Sequence, residues 1–162
     1  MLKAVQLRSL IDRTLKDMGG RFYSAGAANL IFGTGLVESK FYYIAQYPSN
    51  IAKGFFQIEP PTAVDNIENW VKFRKSVRPS LVDATYVEDI YWVEPTEKDW
   101  GNILESNIRA GIVHARLLYW RAPAKLPRTV PEMADYWVKY YNRGGKGTSS
   151  KFMKAWGKHA LV

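Results

Sequence analysis

Residues 33–41 read GTGLVESKF and residues 53–63 read KGFFQIEPPTA, and these two segments decide how the chain is interpreted. The first is apolar, contains two glycines and places Glu38 beside Ser39 near its end. The second begins with Lys53 and Gly54, and it places Gln57 nineteen positions after Glu38. A third segment, Tyr-Tyr-Asn, follows about a hundred positions after Glu38. An acid among apolar neighbours, an amide and a distant Tyr-Asn pair together indicate a candidate catalytic site.

Helical periodicity dominates the rest of the chain. Apolar spacing predicts helices over residues 7–18, 24–38, 62–71, 100–119, 129–141 and 150–161, with a shorter helix within 81–92. Residues 39–60 show no steady period and predict an irregular segment or a short β-hairpin. Pro60 and Pro61 are expected to end that segment, with Thr62 as the next N-cap and Asp65 completing a capping box. The sequence therefore predicts a mainly α fold.

Composition limits the kinds of chemistry that the chain can perform. Its 162 residues fit a single domain spanning residues 1–162. There are no cysteines, so cysteine nucleophiles and thiolate ligands are excluded, and with only two histidines a multi-histidine metal site is not expected. Charges interrupt the apolar runs of the first twenty residues and predict no signal peptide. No segment approaches the ~18 apolar residues that a membrane span needs.

The formal net charge of +8 predicts attraction to polyanions such as nucleic acid, teichoic acid, lipopolysaccharide or the cell wall. A solvated basic surface without a specific partner is the alternative. Basic residues interleave with Tyr and Trp in the C-terminal third: Lys139, Arg143, Lys146, Lys151, Lys154 and Lys158. No recognised nucleic-acid-binding motif accompanies them, so nucleic acid is the less favoured partner.

Glu38 has the neighbours that glycosidic-bond cleavage requires. An acid can protonate a sugar leaving group near neutral pH only if its pKa is raised, usually by burial among apolar groups. Leu36, Val37 and Phe41 supply such groups in the local sequence. Lys40 is expected to point away from the acid, because its positive charge would lower the pKa.

These motifs resemble those of the lysozyme-like lytic transglycosylases and goose-type lysozymes, in which Glu-Ser is followed by Gly-Leu-Met-Gln and a distant Ala-Tyr-Asn. The resemblance covers about residues 24–145 and implies a lysozyme-like fold, with the irregular or β-hairpin segment beside the substrate cleft. It implies that Glu38 is the acid and then the base that cleaves the glycan strand of peptidoglycan. The product is a 1,6-anhydro sugar, or a reducing end if water attacks, and no metal or organic cofactor is expected.

The same resemblance assigns the residues around the acid. It implies that the glycan is bound, or the acid oriented, by Ser39, Gly54, Phe55, Gln57, Tyr141 and Asn142. The chain departs from the family at Phe55 and Phe56, where Leu-Met is usual, and at residues 51–53 and 143–147. The pattern is most similar to short phage-encoded members. That similarity implies a virion-associated tail protein that acts at the cell wall or in the periplasm, beside other tail proteins.

Two alternatives stay open at the level of sequence. A two-carboxylate glycosidase would pair Glu38 with Glu59, Asp65 or Asp89, and the sequence does not measure their separation. A tail or baseplate component with a lysozyme-like fold and little or no activity would carry the same motifs.

Other residues whose side chains could take part in catalysis are expected to have structural roles. The second Glu-Ser pair, Glu105 and Ser106, is expected on a solvated helix face together with Arg109 and Arg116. His114 falls in the apolar stripe of the predicted central helix and is expected to be a core histidine.

Overall fold

Helices make up most of residues 3–159, the part of the chain that the computed structural model describes. They are α1 (Ala4–Asp17), α2 (Ala25–Ser39), α3 (Pro60–Asn69), α4 (Arg78–Thr85), α5 (Asp89–Val93), α6 (Glu97–Ser106), α7 (Ile108–Trp120), α8 (Val130–Tyr140) and α9 (Ser149–His159). The mainly α prediction is confirmed. The expected continuation of the last helix to residue 161 lies outside the described residues. Among those described, no helix combines the length and the apolar character needed to cross a membrane.

The segment between α2 and α3 contains a short hairpin, as its sequence predicted. Lys53 and Ile58 exchange backbone hydrogen bonds of 2.9 and 3.0 Å, and Lys53 also forms an antiparallel bridge with Ala45. The turn between them uses Gly54 and Gln57, whose φ angles are +69° and +48°. We refer to residues 42–58 as the hairpin segment.

Helix α2 runs through the core and ends at the candidate acid. The Ser24 side chain caps it by accepting the Ala27 N–H at 3.0 Å, and Lys40 ends it in the left-handed conformation. Four residues on the side of α2 that faces the core are buried: Ala27, Leu30, Ile31 and Thr34. Since α2 packs against α1, α7, α8 and α9, most of its faces are covered.

Two glycines let other elements approach α2 closely. A Cβ built on Gly33 would lie 2.4 Å from the Phe152 ring on α9, and one on Gly35 would lie 2.2 Å from the Phe41 ring. Both distances are far below van der Waals contact. Other side chains therefore pack directly against the helix backbone at both glycines, and the Phe41 ring lies against the end of the helix.

The start of α3 differs from the prediction. The helix begins at Pro60, with Glu59 as its N-cap, rather than after a cap at Thr62. Proline suits the first helical position because its fixed φ is helical and its missing N–H needs no partner there. The expected capping box between Thr62 and Asp65 was therefore wrong.

The predicted helix over residues 100–119 is interrupted at Asn107, so the single central helix was wrong. Asn107 has extended backbone angles (φ −120°, ψ 103°) between α6 and α7. Its side-chain oxygen accepts the Ala110 N–H at 2.9 Å, and its amide donates to the Thr85 carbonyl at 2.9 Å. Asparagine competes with the helical backbone in this way and favours caps over helix interiors. Thr96 caps the start of α6, where its side-chain oxygen accepts the Asp99 N–H at 3.1 Å.

Arg116 was expected on a solvated face, and the structure buries it. Its side chain donates to the Phe22 carbonyl at 2.8 Å and stacks over the Trp120 ring. Glu105 remains partly exposed and pairs with Lys53 at 3.1 Å. His114 is a core residue, as predicted, and burial lowers its pKa to about 3, so the imidazole is neutral.

We expect Gly35→Ala to lower the free energy of unfolding by about 1–3 kcal/mol, because the new methyl group overlaps the buried Phe41 ring. Urea denaturation measures the change. Gly157→Ala is the matched control: Gly157 is also helical, but no atom lies within 4 Å of its added Cβ. That control should gain roughly 0.5–1 kcal/mol from helix propensity. Equal effects of the two substitutions would contradict the close packing at Gly35.

Candidate active site

A cleft of about 1030 Å³ opens at the C-terminal end of α2. One wall is the hairpin segment and the start of α3; the other is the end of α7, the end of α8 and the loop that follows α8. Of the residues that the motifs singled out, the cleft brings together Glu38, Gln57, Tyr141 and Asn142. The sequence separates these four by up to about a hundred positions, so the fold joins them.

Glu38 lies in the last turn of α2 and is partly buried. The indole N–H of Trp137, a residue of α8 that is 2% exposed, donates to Glu38 Oε1 at 2.9 Å. The Asn142 side chain also acts on the carboxyl and lowers its pKa. Lys40 is exposed, as expected, while Glu38 lines the cleft. The carboxyl is thus held by the Trp137 indole while it remains open to a ligand.

Burial raises the pKa of Glu38 from its ordinary value of 4.5 to about 7, and the hydrogen bonds from Trp137 and Asn142 oppose part of that rise. Burial dominates because the free-energy cost of removing the carboxylate from water exceeds the stabilisation that the two donors provide. Near neutral pH both protonation states of Glu38 are populated. A group of this kind can donate a proton in one step and accept one in the next.

Two buried phenols lie close to the carboxyl. Burial raises the pKa values of Tyr119 and Tyr141, and the negative charge of Glu38 raises both further. The Tyr119 hydroxyl shares a 2.7 Å hydrogen bond with the Thr34 hydroxyl, and the Tyr141 hydroxyl donates to the Phe56 carbonyl at 2.7 Å. The phenols therefore stay neutral beside the acid; Tyr119 is buried in the core, whereas Tyr141 is partly buried and lines the cleft.

Asn142 and Gln57 hold their positions through the backbone. The Asn142 side-chain oxygen accepts the Gly147 N–H at 2.9 Å, which ties the loop after α8 to the site. Gln57 donates from its side chain to the Gly54 carbonyl at 2.9 Å. Both side chains line the cleft, in the places where the motif resemblance expected glycan contacts.

Three predicted site residues lie behind the cleft instead of lining it. Ser39 is 2% exposed and donates to the Phe55 carbonyl at 2.7 Å. Gly54 is needed because a Cβ there would lie 2.4 Å from the Leu104 carbonyl oxygen, so its close contact is with α6 and not with a ligand. The Phe55 ring packs edge-on against Phe41. These residues join the hairpin segment to the helices, and their assignment to glycan binding stays a prediction of the motif resemblance.

The carboxylates proposed as partners of Glu38 differ in their surroundings. Glu59 and Asp65 line the cleft. Asp89 lies outside the cleft and pairs with Arg78 at 2.8 Å. The hydrogen bond from Arg121 holds the pKa of Asp65 below its usual range. Glu59 and Asp65 therefore remain available to a two-carboxylate mechanism, and Asp89 does not.

Residues 3–159 contain no cluster of three or more His, Cys, Asp or Glu side chains that could hold a metal ion.

Trp137, Tyr119 and Thr34 were not identified from the sequence. Trp137 belongs to the apolar stripe of α8, and Tyr119 belongs to that of α7. In the sequence, neither residue differs from an ordinary core residue. No local signal distinguishes an indole that donates to a carboxyl from one that fills a core.

Comparisons of the chain with protein-family models, with curated proteins and with solved structures found no match. The resemblance to lysozyme-like lytic transglycosylases therefore stays a prediction that rests on the motif residues.

We expect Trp137→Phe to raise the pKa of Glu38 above about 7, because it removes a donor that stabilises the ionised carboxylate. Titration followed by NMR of the glutamate carboxyl carbons measures the shift. Trp100→Phe is the matched control, since the Trp100 indole donates to the Tyr91 carbonyl and not to Glu38. An unchanged Glu38 titration in Trp137→Phe would show that the hydrogen bond does not act on the acid.

We expect Glu38→Gln to stabilise the protein at alkaline pH and to leave it nearly unchanged near pH 4. The folded-state pKa of Glu38 is about 7, above its ordinary value of 4.5, so folding favours the protonated acid. The wild type consequently loses stability as the pH rises from about 4.5 to about 7, by roughly 1–3 kcal/mol. Urea denaturation at a series of pH values measures the difference. A difference that is constant with pH would contradict burial of the carboxyl.

Proposed function

We propose that this protein cleaves the glycan strand of peptidoglycan with Glu38 as its acid and base. The observation that carries the proposal is the state of Glu38: a partly buried carboxyl with a pKa of about 7, facing an open cleft. Residues that motif resemblance assigns to glycan binding, Gln57, Tyr141 and Asn142, line the same cleft.

The chemistry follows from the two protonation states. Protonated Glu38 gives its proton to the glycosidic oxygen, and the bond to the anomeric carbon breaks as the leaving sugar departs. The ionised carboxylate then takes the proton of the C6 hydroxyl of the same muramic residue, whose oxygen attacks the anomeric carbon. The 1,6-anhydro ring closes and Glu38 returns to its acid form. In a lysozyme-type reaction, water replaces the C6 hydroxyl.

The shape of the cleft supports a polymeric sugar substrate. Its volume of about 1030 Å³ is at the upper end of the range for ligand pockets, which leaves room for more than one sugar ring. Tyr43 and Tyr47 line the wall formed by the hairpin segment and are 52% and 90% exposed. Exposed aromatic faces in a cleft suit the apolar faces of sugar rings. Gln57 and Asn142 supply amides for the hydroxyl and acetamido groups.

A two-carboxylate hydrolase is the second candidate, because Glu59 and Asp65 share the cleft with Glu38. In that mechanism one of them activates water while Glu38 protonates the leaving group. Glu59→Gln and Asp65→Asn distinguish the mechanisms. A single-acid reaction retains most of its rate in both variants, whereas an inverting hydrolase loses it in one.

A place in a phage tail, with other tail proteins as partners, is proposed on the motif resemblance alone. A purely structural tail component would bind wall material and release no fragments. Purified virions supply the direct test, since a tail protein co-purifies with particles at a constant ratio and is seen by peptide mass spectrometry.

We expect wild-type protein to release muropeptides from purified peptidoglycan and Glu38→Gln to lower that rate at least about a hundredfold, since it removes the acid and base. Mass spectrometry identifies the products. Glu105→Gln is the matched control, because Glu105 belongs to the other Glu-Ser pair and lies outside the cleft; it should retain full activity.

Anhydromuropeptides indicate a lytic transglycosylase, and reducing ends indicate a lysozyme. An equally active Glu38→Gln variant, or no release by the wild type, overturns the proposal.

A further inference from the structure

Helix α9 carries a stripe of lysines on its outer face. Lys151, Lys154 and Lys158 are spaced by three and four residues, which places them on one side of a helix, and all three are exposed. The opposite side carries Phe152, which is fully buried against the core. The stripe covers roughly 10 Å along the helix axis, from a rise of about 1.5 Å per residue.

The stripe continues toward the cleft. The Lys151 ammonium donates to the Lys146 carbonyl at 3.0 Å, which joins the start of α9 to the loop after α8. In that loop Arg143 is exposed and lines the cleft. We call this row the basic track: Lys139, Arg143, Lys146, Lys151, Lys154 and Lys158. Lys139 joins it through Tyr140, since its ammonium lies 5.2 Å from the ring centre and that ring lines the cleft.

The charge of the basic track is not neutralised within the described residues. Residues 136–159 include no Asp or Glu, and none of the six cations forms an ion pair within the part of the chain that the structure describes. The acid nearest in sequence, Asp135, accepts a hydrogen bond from Ser149. Elsewhere, cations such as Arg121 and Lys53 have carboxylate partners. An uncompensated row of this kind produces a local positive potential that attracts a polyanion.

We propose that the basic track binds a phosphate-rich polymer linked to the glycan strand, of the teichoic-acid type. The track is too long for one phosphate group, so a chain of phosphates fits it better than a single ion. Lysine ammoniums bind phosphate as point charges. Because Arg143 belongs to both the track and the cleft, the polymer and the glycan are bound side by side; in this respect the inference rests on the proposed function.

The aromatic residues of this region argue against single-stranded nucleic acid. Base stacking requires exposed aromatic faces beside the cations. On α9, Phe152 is buried and Trp156 packs edge-on against Phe32, so neither ring is presented as a platform. Along α9 the basic track thus offers charge without stacking surfaces, which suits a flexible polyol phosphate.

The test uses full-length protein carrying Glu38→Gln, so that binding is measured without cleavage. Cosedimentation is compared on walls that contain teichoic acid and on the same walls after hydrofluoric acid has removed phosphodiester-linked polymers. Lys151→Gln, Lys154→Gln and Lys158→Gln are combined in one variant. The matched control combines Lys75→Gln, Lys98→Gln and Lys125→Gln, three exposed lysines outside the track with the same loss of charge. Circular dichroism confirms that both variants fold.

We expect the track variant to bind untreated walls about tenfold or more weakly at physiological salt, and the control to change by less than about twofold. On stripped walls the two variants should bind alike. Equal binding of both variants to untreated walls overturns the inference, as does a loss that persists on stripped walls. Lysine-dependent binding of duplex DNA without any dependence on wall phosphate also overturns it. Phosphate-dependent binding by a wild type that releases no muropeptides would support the track and reject the cleavage activity.

Discussion

The close packing of α2 is the constraint on which the rest of the structure depends. Gly33 and Gly35 have no side chains, so Phe152 from α9 and Phe41, just before the hairpin segment, reach the helix at distances that a Cβ would forbid. These contacts bury the last turns of α2 on several sides. Glu38 follows directly, in the one place where the helix end meets the cleft. The glycines therefore determine both the core and the environment of the acid.

The environment of Glu38 is a balance between burial and hydrogen bonding. Burial among Tyr119, Tyr141 and Trp137 disfavours the charged carboxylate, and the indole N–H of Trp137 and the amide of Asn142 favour it. Burial has the larger effect, so the pKa of Glu38 is raised to about 7. The two donors limit that rise. Without those donors the pKa would be higher, so the carboxyl would be a weaker acid toward the glycosidic oxygen. The same α8 that supplies Trp137 also leads into the loop that carries Asn142 and the start of the basic track.

Much of the fold was predictable because it depends on local patterns. The apolar spacing of α1, α2 and α8 is read directly from the chain. The errors arose where two local signals compete. Asn107 interrupts a continuous apolar stripe because its side chain caps α7 and bonds to Thr85, a contact that no local pattern reveals. Pro60 begins α3, whereas the sequence predicted that it ends the preceding segment.

The sequence by itself determined the mainly α architecture and the irregular segment after α2, because periodicity and glycine placement are properties of adjacent residues. The choice of Glu38 as the candidate acid rests on its apolar neighbours and on the motif resemblance. Only the tertiary structure decided which residues surround the acid. It placed Trp137 and Tyr119 beside Glu38, and it moved Ser39, Gly54 and Phe55 behind the cleft. The physical reason is that hydrogen bonding and burial act between atoms that are close in space, and the partners of Glu38 come from helices about eighty to a hundred positions away in the chain.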